Sequence, residues 1–101
     1  MTTVRFEAGP FTFEWDAAKA LANRRKHGVS FEEAATVFLD PMARVFDDPD
    51  HSHEESRFLL LGWSYARREV IVAHVERGNR VRIISARRAT PRERANLDEG
   101  A

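Results

Sequence analysis

From Phe11 to Trp15 bulky and polar side chains alternate, the period of a short strand or extended arm. Asp16 then stands where a helix cap belongs. The predicted helix runs to about His27, with Gly28 supplying a left-handed stop. Its apolar stripe is modest (Ala18, Leu21, Ala22), and Lys19, Arg24, Arg25 and Lys26 cover much of the rest. A second helix start follows at once. Ser30 and Glu33 form a capping box, with Val29 and Ala34 placed as its hydrophobic staple. Phe31, Ala34, Ala35 and Phe38 recur at i, i+3, i+4 and i+7, a single apolar face, and Asp40-Pro41 ends the helix.

From there the period falls to two. Ala43 to Phe46 reads as a strand, Asp47 to Glu55 as a polar acidic loop, and Phe58 to Trp63 as a central strand buried on both faces. Glu69 to Glu76 and Arg80 to Ala86 are two more strands. Thr90-Pro91-Arg92-Glu93 combines a cap, a proline at the first helical position and a glutamate at N3, so a short last helix is predicted. In the 69–76 strand Ile71, Ala73 and Val75 are apolar, and in the 80–86 strand Val81 and Ile83 are. Pairing odd with odd puts both sets on one buried face and calls for a three-residue loop, Arg77-Gly78-Asn79. Glu76 then lies opposite Arg80, His74 opposite Arg82 and Val72 opposite Ile84.

The chain has 101 residues, 43% hydrophobic and 32% charged, the make-up of one globular domain spanning 1–101. It has no cysteine, which excludes disulfides and thiolate metal sites. No apolar run is long enough to span a bilayer, and Met1 to Pro10 lacks the pattern of a secretory signal, so a cytoplasmic location is expected. Formal net charge is zero, but its distribution is uneven. Residues 31–56 carry a net −7 and residues 57–94 a net +7, the latter entirely through arginine. Arginine's planar fork suits phosphate, although an acidic segment folded over a basic one would cancel the asymmetry.

The assembled residues resemble the BrnT toxins over nearly the whole chain. The resemblance is carried by Phe13-Glu-Trp-Asp16 with Lys19 and Asn23, and by Lys26-His-Gly-Val-Ser-Phe-Glu-Glu-Ala34. It continues through Val37-Phe38, Asp40-Pro41, His51-Ser52, Glu55 with Arg57, Gly62 and His74, and ends on Arg82-Ile-Ile-Ser-Ala-Arg87 and Glu93. It implies an α+β, RelE-like fold, with two N-terminal helices packed on an antiparallel sheet of about four strands and a short C-terminal helix. It also implies an endoribonuclease that blocks translation; with no cysteine and no credible ligand spacing, no metal or other cofactor is expected. Its partners would be RNA and a BrnA-type antitoxin with a ribbon–helix–helix DNA-binding part, so that DNA is met only through the antitoxin. Many members place a tyrosine near the end of the last helix, where this chain has Asn96 and Leu97.

Metal-free RNA cleavage needs a base, an acid and cations for the charge that builds on phosphate. His74 is the candidate base or acid, set against a hydrogen-bonded structural role. Arg82 is the candidate phosphate clamp, set against a role as cross-strand partner of an acidic side chain, with Arg57 able to reach the same face. Arg87 falls on the buried side by strict alternation and serves the site only if the strand ends or bulges near Ala86. Arg80 either touches RNA or pairs with Glu76. Lys19 either touches RNA or is a solvated helix residue, and Lys26 is a further RNA contact or, with His27, a partner of the helix dipole. His51 and His53 with Asp50, Glu54 and Glu55 lack the helical spacing of a metal site and read as a solvated loop. Trp15 and Trp63 are able to stack a base but read as core. Two functions fit: a ribonuclease toxin, or a catalytically weak partner that docks the antitoxin and assists promoter repression.

Overall fold

The computed structural model describes residues 2–48 and 55–99. The chain forms β1 (Thr3–Ala8), β2 (Phe11–Asp16), α1 (Ala17–His27), α2 (Phe31–Val37), β3 (Arg44–Asp47), β4 (Arg57–Trp63), β5 (Glu69–Arg77), β6 (Arg80–Arg88) and α3 (Pro91–Glu99). Six strands make one sheet in the order β1-β2-β6-β5-β4-β3. All neighbours are antiparallel except β2 and β6, which run parallel. The helices match the sequence expectation, but the sheet is larger than the four strands expected, and mixed. β1 adds an edge beyond β2, with Val4, Phe6 and Ala8 packed toward the core.

Both helix starts follow from local hydrogen bonds. Asp16 caps α1 by accepting from the Lys19 amide at 3.0 Å, and Gly28 stops it at φ +71°. Ser30 accepts from the Glu33 amide at 3.0 Å. Only half of the expected capping box forms, because the Glu33 carboxylate turns to the β4–β5 connection instead. There it accepts from Ser64 Oγ at 2.6 Å and from the Arg68 guanidinium, with Arg68 Nε at 2.9 Å. Arg68 also donates to the Gly28 carbonyl, so one arginine fastens the end of α1, the start of α2 and the β4–β5 turn. These bonds hold the Glu33 carboxyl below the ordinary carboxylate range.

The core lies between the two helices and one face of the sheet. Phe13, Trp15, Val29, Phe31, Val37, Val70, Val72 and Ile83 are all sealed there. Trp15 meets Phe31 edge-on at 5.7 Å, and Phe13 meets Phe38 at 5.0 Å. Burial of Phe13 and Phe31 contributes about 2–3 kcal/mol each. Leu60 and Leu61 are buried on opposite faces of β4, as a doubly covered strand requires, whereas Trp63 at its end is 44% exposed and is not core.

The β5–β6 hairpin departs from the expected register. Its loop is the two residues Gly78-Asn79, with Gly78 at φ +61°, and Arg77 pairs with Arg80. Glycine at the first turn position fits the tight turns that follow strand twist. His74 therefore faces Ile83, and Val75 faces Arg82. The register then shifts between His74 and Ala73, so that Ala73 faces Ser85 and Ile84 is an extra residue, a β-bulge. Before the bulge Val81 and Ile83 point toward the helices; after it Ala86 does, held to α1 by Asn23.

α3 begins with a complete capping box. The Glu93 amide donates to Thr90 Oγ1 at 3.2 Å, and the Thr90 amide donates to Glu93 Oε1 at 2.8 Å. The same carboxylate receives both terminal nitrogens of Arg87 at 2.8 and 2.9 Å. Mainly because of Arg87, the Glu93 carboxyl is held down to about 2 from 4.5. A carboxyl that folding lowers stabilises the fold in full where it is ionised in both the folded and unfolded states, so its contribution is full above about pH 4.5 and is lost as pH falls toward 2. The melting-temperature gap between the parent and Glu93→Gln should thus be constant near neutrality and close as pH approaches 2. A gap of equal size at pH 7 and pH 2.5 would refute this account.

Candidate nucleic-acid interface

The sheet face turned away from α1 and α2 collects arginines by register. Residues directly opposite on adjacent strands project to the same side. Arg57 of β4 faces Val75 of β5, which faces Arg82 of β6, which faces Glu14 of β2, which faces Arg5 of β1. One row across the sheet thus reads Arg57, Val75, Arg82, Glu14, Arg5. The next row, at the turn end, holds Arg77, Arg80, Thr12 and Glu7.

Glu14 organises the centre of this face. Its Oε2 accepts from Arg82 Nη1 at 2.8 Å, and its Oε1 lies 3.2 Å from Arg80 Nε. The carboxylate side chain is 9% exposed, Arg82 13% and Arg80 35%. A carboxylate this deep is tolerable because both oxygens meet a cation. Arg80 therefore pairs with Glu14 and not with Glu76. Arg57 and Arg82 stand two strand spacings apart, about 10 Å, with only Val75 between them. Two side chains of arginine length can converge over that gap on one phosphate. Arg77, farther out, is paired with Glu55 at 3.1 Å.

The other expected site residues lie elsewhere. His74 projects to the helix side, because Val70 and Val72 on the same parity are in the core. The expected pairing of His74 with Arg82 across the hairpin is therefore corrected: the two are on opposite faces of the sheet. His74 is 4% exposed, with Nδ1 3.2 Å from the Val72 carbonyl and its ring edge-on to Phe38 at 4.8 Å. A carbonyl only accepts, so Nδ1 carries the proton. Burial pushes the imidazole below its usual range, opposed in part by the Val72 carbonyl and Glu76, which leaves it neutral at pH 7. It lines a cavity of about 330 Å³ with Phe11, Phe38, Phe58, Asp40 and Glu76.

Arg87 does share the face of Arg82, because of the bulge, but it sits about 15 Å along β6 and is engaged by Glu93. Lys19 and Lys26 are exposed on α1, which packs on the helix side, away from the arginine row. The acidic loop residues His51, His53, Asp50 and Glu54 lie outside the described residues. Among the described residues no group of histidines and carboxylates is arranged to hold a metal. Glu14 is the residue that sequence pattern did not single out. Its signal was slight: a carboxylate at the polar position between two aromatic residues of a short strand.

A family model described as "Ribonuclease toxin, BrnT, of type II toxin-antitoxin system" matches residues 15–93. The chain belongs to the BrnT family. No curated protein matches it. The matched span holds Arg57, Arg80, Arg82 and Arg87, and stops one residue short of Glu14. Membership makes this BrnT protein a ribonuclease toxin of a type II toxin–antitoxin system and implies a cognate antitoxin. Among the described residues no helix is long and apolar enough to cross a membrane.

Proposed function

We propose that this BrnT protein cleaves RNA without a metal ion, with the substrate phosphates held against Arg57, Arg80 and Arg82 on the sheet face away from α1 and α2. The observation that carries this reading is the cross-strand row in which Val75 alone separates Arg57 from Arg82. When a ribose hydroxyl attacks the adjacent phosphorus, negative charge builds on the phosphoryl oxygens. Fixed guanidinium forks stabilise that charge without needing to reorganise. A dication is not required when two or three arginines supply the same field.

The antitoxin, expected to be of BrnA type with a ribbon–helix–helix part for DNA, silences the enzyme by covering this face. Arginines attract carboxylates as readily as phosphates, so an acidic segment of the antitoxin suits the task. The rival reading is a catalytically weak protein that serves promoter repression only.

A digest of RNA by the purified protein in excess EDTA separates them. Cleavage should proceed at the rate seen without chelator and stop when the antitoxin is added. Cleavage that is lost in EDTA and restored by one divalent ion overturns the metal-free mechanism. No cleavage under any condition favours the binding role.

A further inference from the structure

We propose that Glu14 is the proton acceptor of the cleavage step, taking the proton of the attacking 2′-hydroxyl. The proposal rests on the ribonuclease reading above. In the step, the 2′ oxygen bonds to phosphorus, its proton passes to a Glu14 carboxylate oxygen, and the bond from phosphorus to the 5′ oxygen breaks. The leaving oxygen takes a proton from water, and Glu14 returns its own to solvent. The products are a 2′,3′-cyclic phosphate and a 5′-hydroxyl.

A metal-free cleavage needs its acceptor beside its cations, on the same face of the sheet. His74 is on the other face. Glu7 is exposed, opposite Thr12 on the edge strand β1, and Glu55 is tied to Arg77. Glu14 lies within the row itself, between Arg82 and Arg5. Arg82 and Arg80 each reach one of its oxygens. A carboxylate oxygen has two acceptor sites, so each can still receive a hydroxyl. The two arginines that would hold the phosphate are thus the same two that fix the carboxylate, and a ribose hydroxyl next to that phosphate falls within its reach.

The alternative is a purely structural Glu14 that only orders Arg80 and Arg82, and the two roles predict different behaviour for Glu14→Gln. If Glu14 is the acceptor, single-turnover cleavage falls about 100-fold or more. Binding of an RNA carrying a 2′-deoxy sugar at the cleaved position stays equal or tightens, because a negative charge near phosphate is gone. If Glu14 only orders the arginines, binding weakens in step with cleavage. Glu14→Asp, one methylene shorter, should cleave slowly with binding intact, and it decides the matter if the glutamine variant does not fold. Cleavage by the folded variants within about threefold of the parent, or joint loss of binding and cleavage, overturns the proposal alone. A parent protein that cleaves no RNA overturns the ribonuclease reading, and this assignment with it.

Discussion

Replacing Arg82 by alanine is expected to lower RNA cleavage by about 100- to 1,000-fold while leaving the chain folded. That is the usual loss when a fixed donor to a developing oxyanion is removed. Arg82 has the strongest claim of the arginines. It is nearly buried, so its guanidinium is confined, and it is the closer of the two cations on Glu14. The fold tolerates its loss because Glu14 keeps Arg80, at 3.2 Å, as a counter-ion. Single-turnover cleavage by Arg82→Ala and Arg87→Ala, with melting curves for both, makes the test. Arg87→Ala should retain most of its activity and lose helix anchoring, since its partner is Glu93. An Arg82→Ala variant that folds and cleaves within about threefold of the parent would sink this site.

The largest effect on stability is expected at Asn23, a polar residue in α1 with no role on the arginine face. Its amide nitrogen donates to the Val29 carbonyl at 3.0 Å and to the Ala86 carbonyl at 2.8 Å. Its amide oxygen accepts from the Ala86 amide at 3.1 Å. One buried side chain thus closes the α1–α2 turn and ties the helix to β6 just beyond the bulge, where the ladder is disrupted. Alanine there would leave three backbone groups unpaired in a site that is 8% exposed. At about 1 kcal/mol or more per group, Asn23→Ala should cost about 3 kcal/mol. For a domain this small that is on the order of 15 °C in melting temperature. Lys19→Ala on the same helix, an exposed position, should stay within about 0.5 kcal/mol. Equal melting temperatures for the two variants would show that Asn23 does not hold the helix.

Local chemistry was legible in the sequence and long-range pairing was not. The caps at Asp16, Ser30 and Thr90 form because a side chain meets a backbone amide three residues away, a relation that spacing alone encodes. The parallel contact between β2 and β6 joins residues nearly seventy positions apart, and no local pattern announces it. β1 did carry a signal, in the alternation of Val4, Phe6 and Ala8, but as an edge strand it buries that face only halfway. The hairpin register failed for a specific reason. In β5 both parities are apolar, Val70 and Val72 against Ile71, Ala73 and Val75, so alternation could not say which set faces the helices. His74 shares the parity of the core set and was drawn inward with it, while Arg57, Arg80 and Arg82 share a face regardless.

The extra residue at Ile84 makes one strand obey two opposite alternation rules. On its turn side Val81 and Ile83, at odd positions, face the core and Arg80 and Arg82, at even positions, face away; on its far side Ala86, at an even position, faces the core and Arg87, at an odd one, faces away. Arg82 and Arg87, an odd number of residues apart, come to look out on the same side. Related chains compared along this strand by hydrophobic alternation would therefore be placed one residue out of step beyond the bulge, matching core against surface. A gap or insertion near Ile84 in such a comparison exchanges inside for outside over the remainder of the strand, although it moves the chain by a single residue.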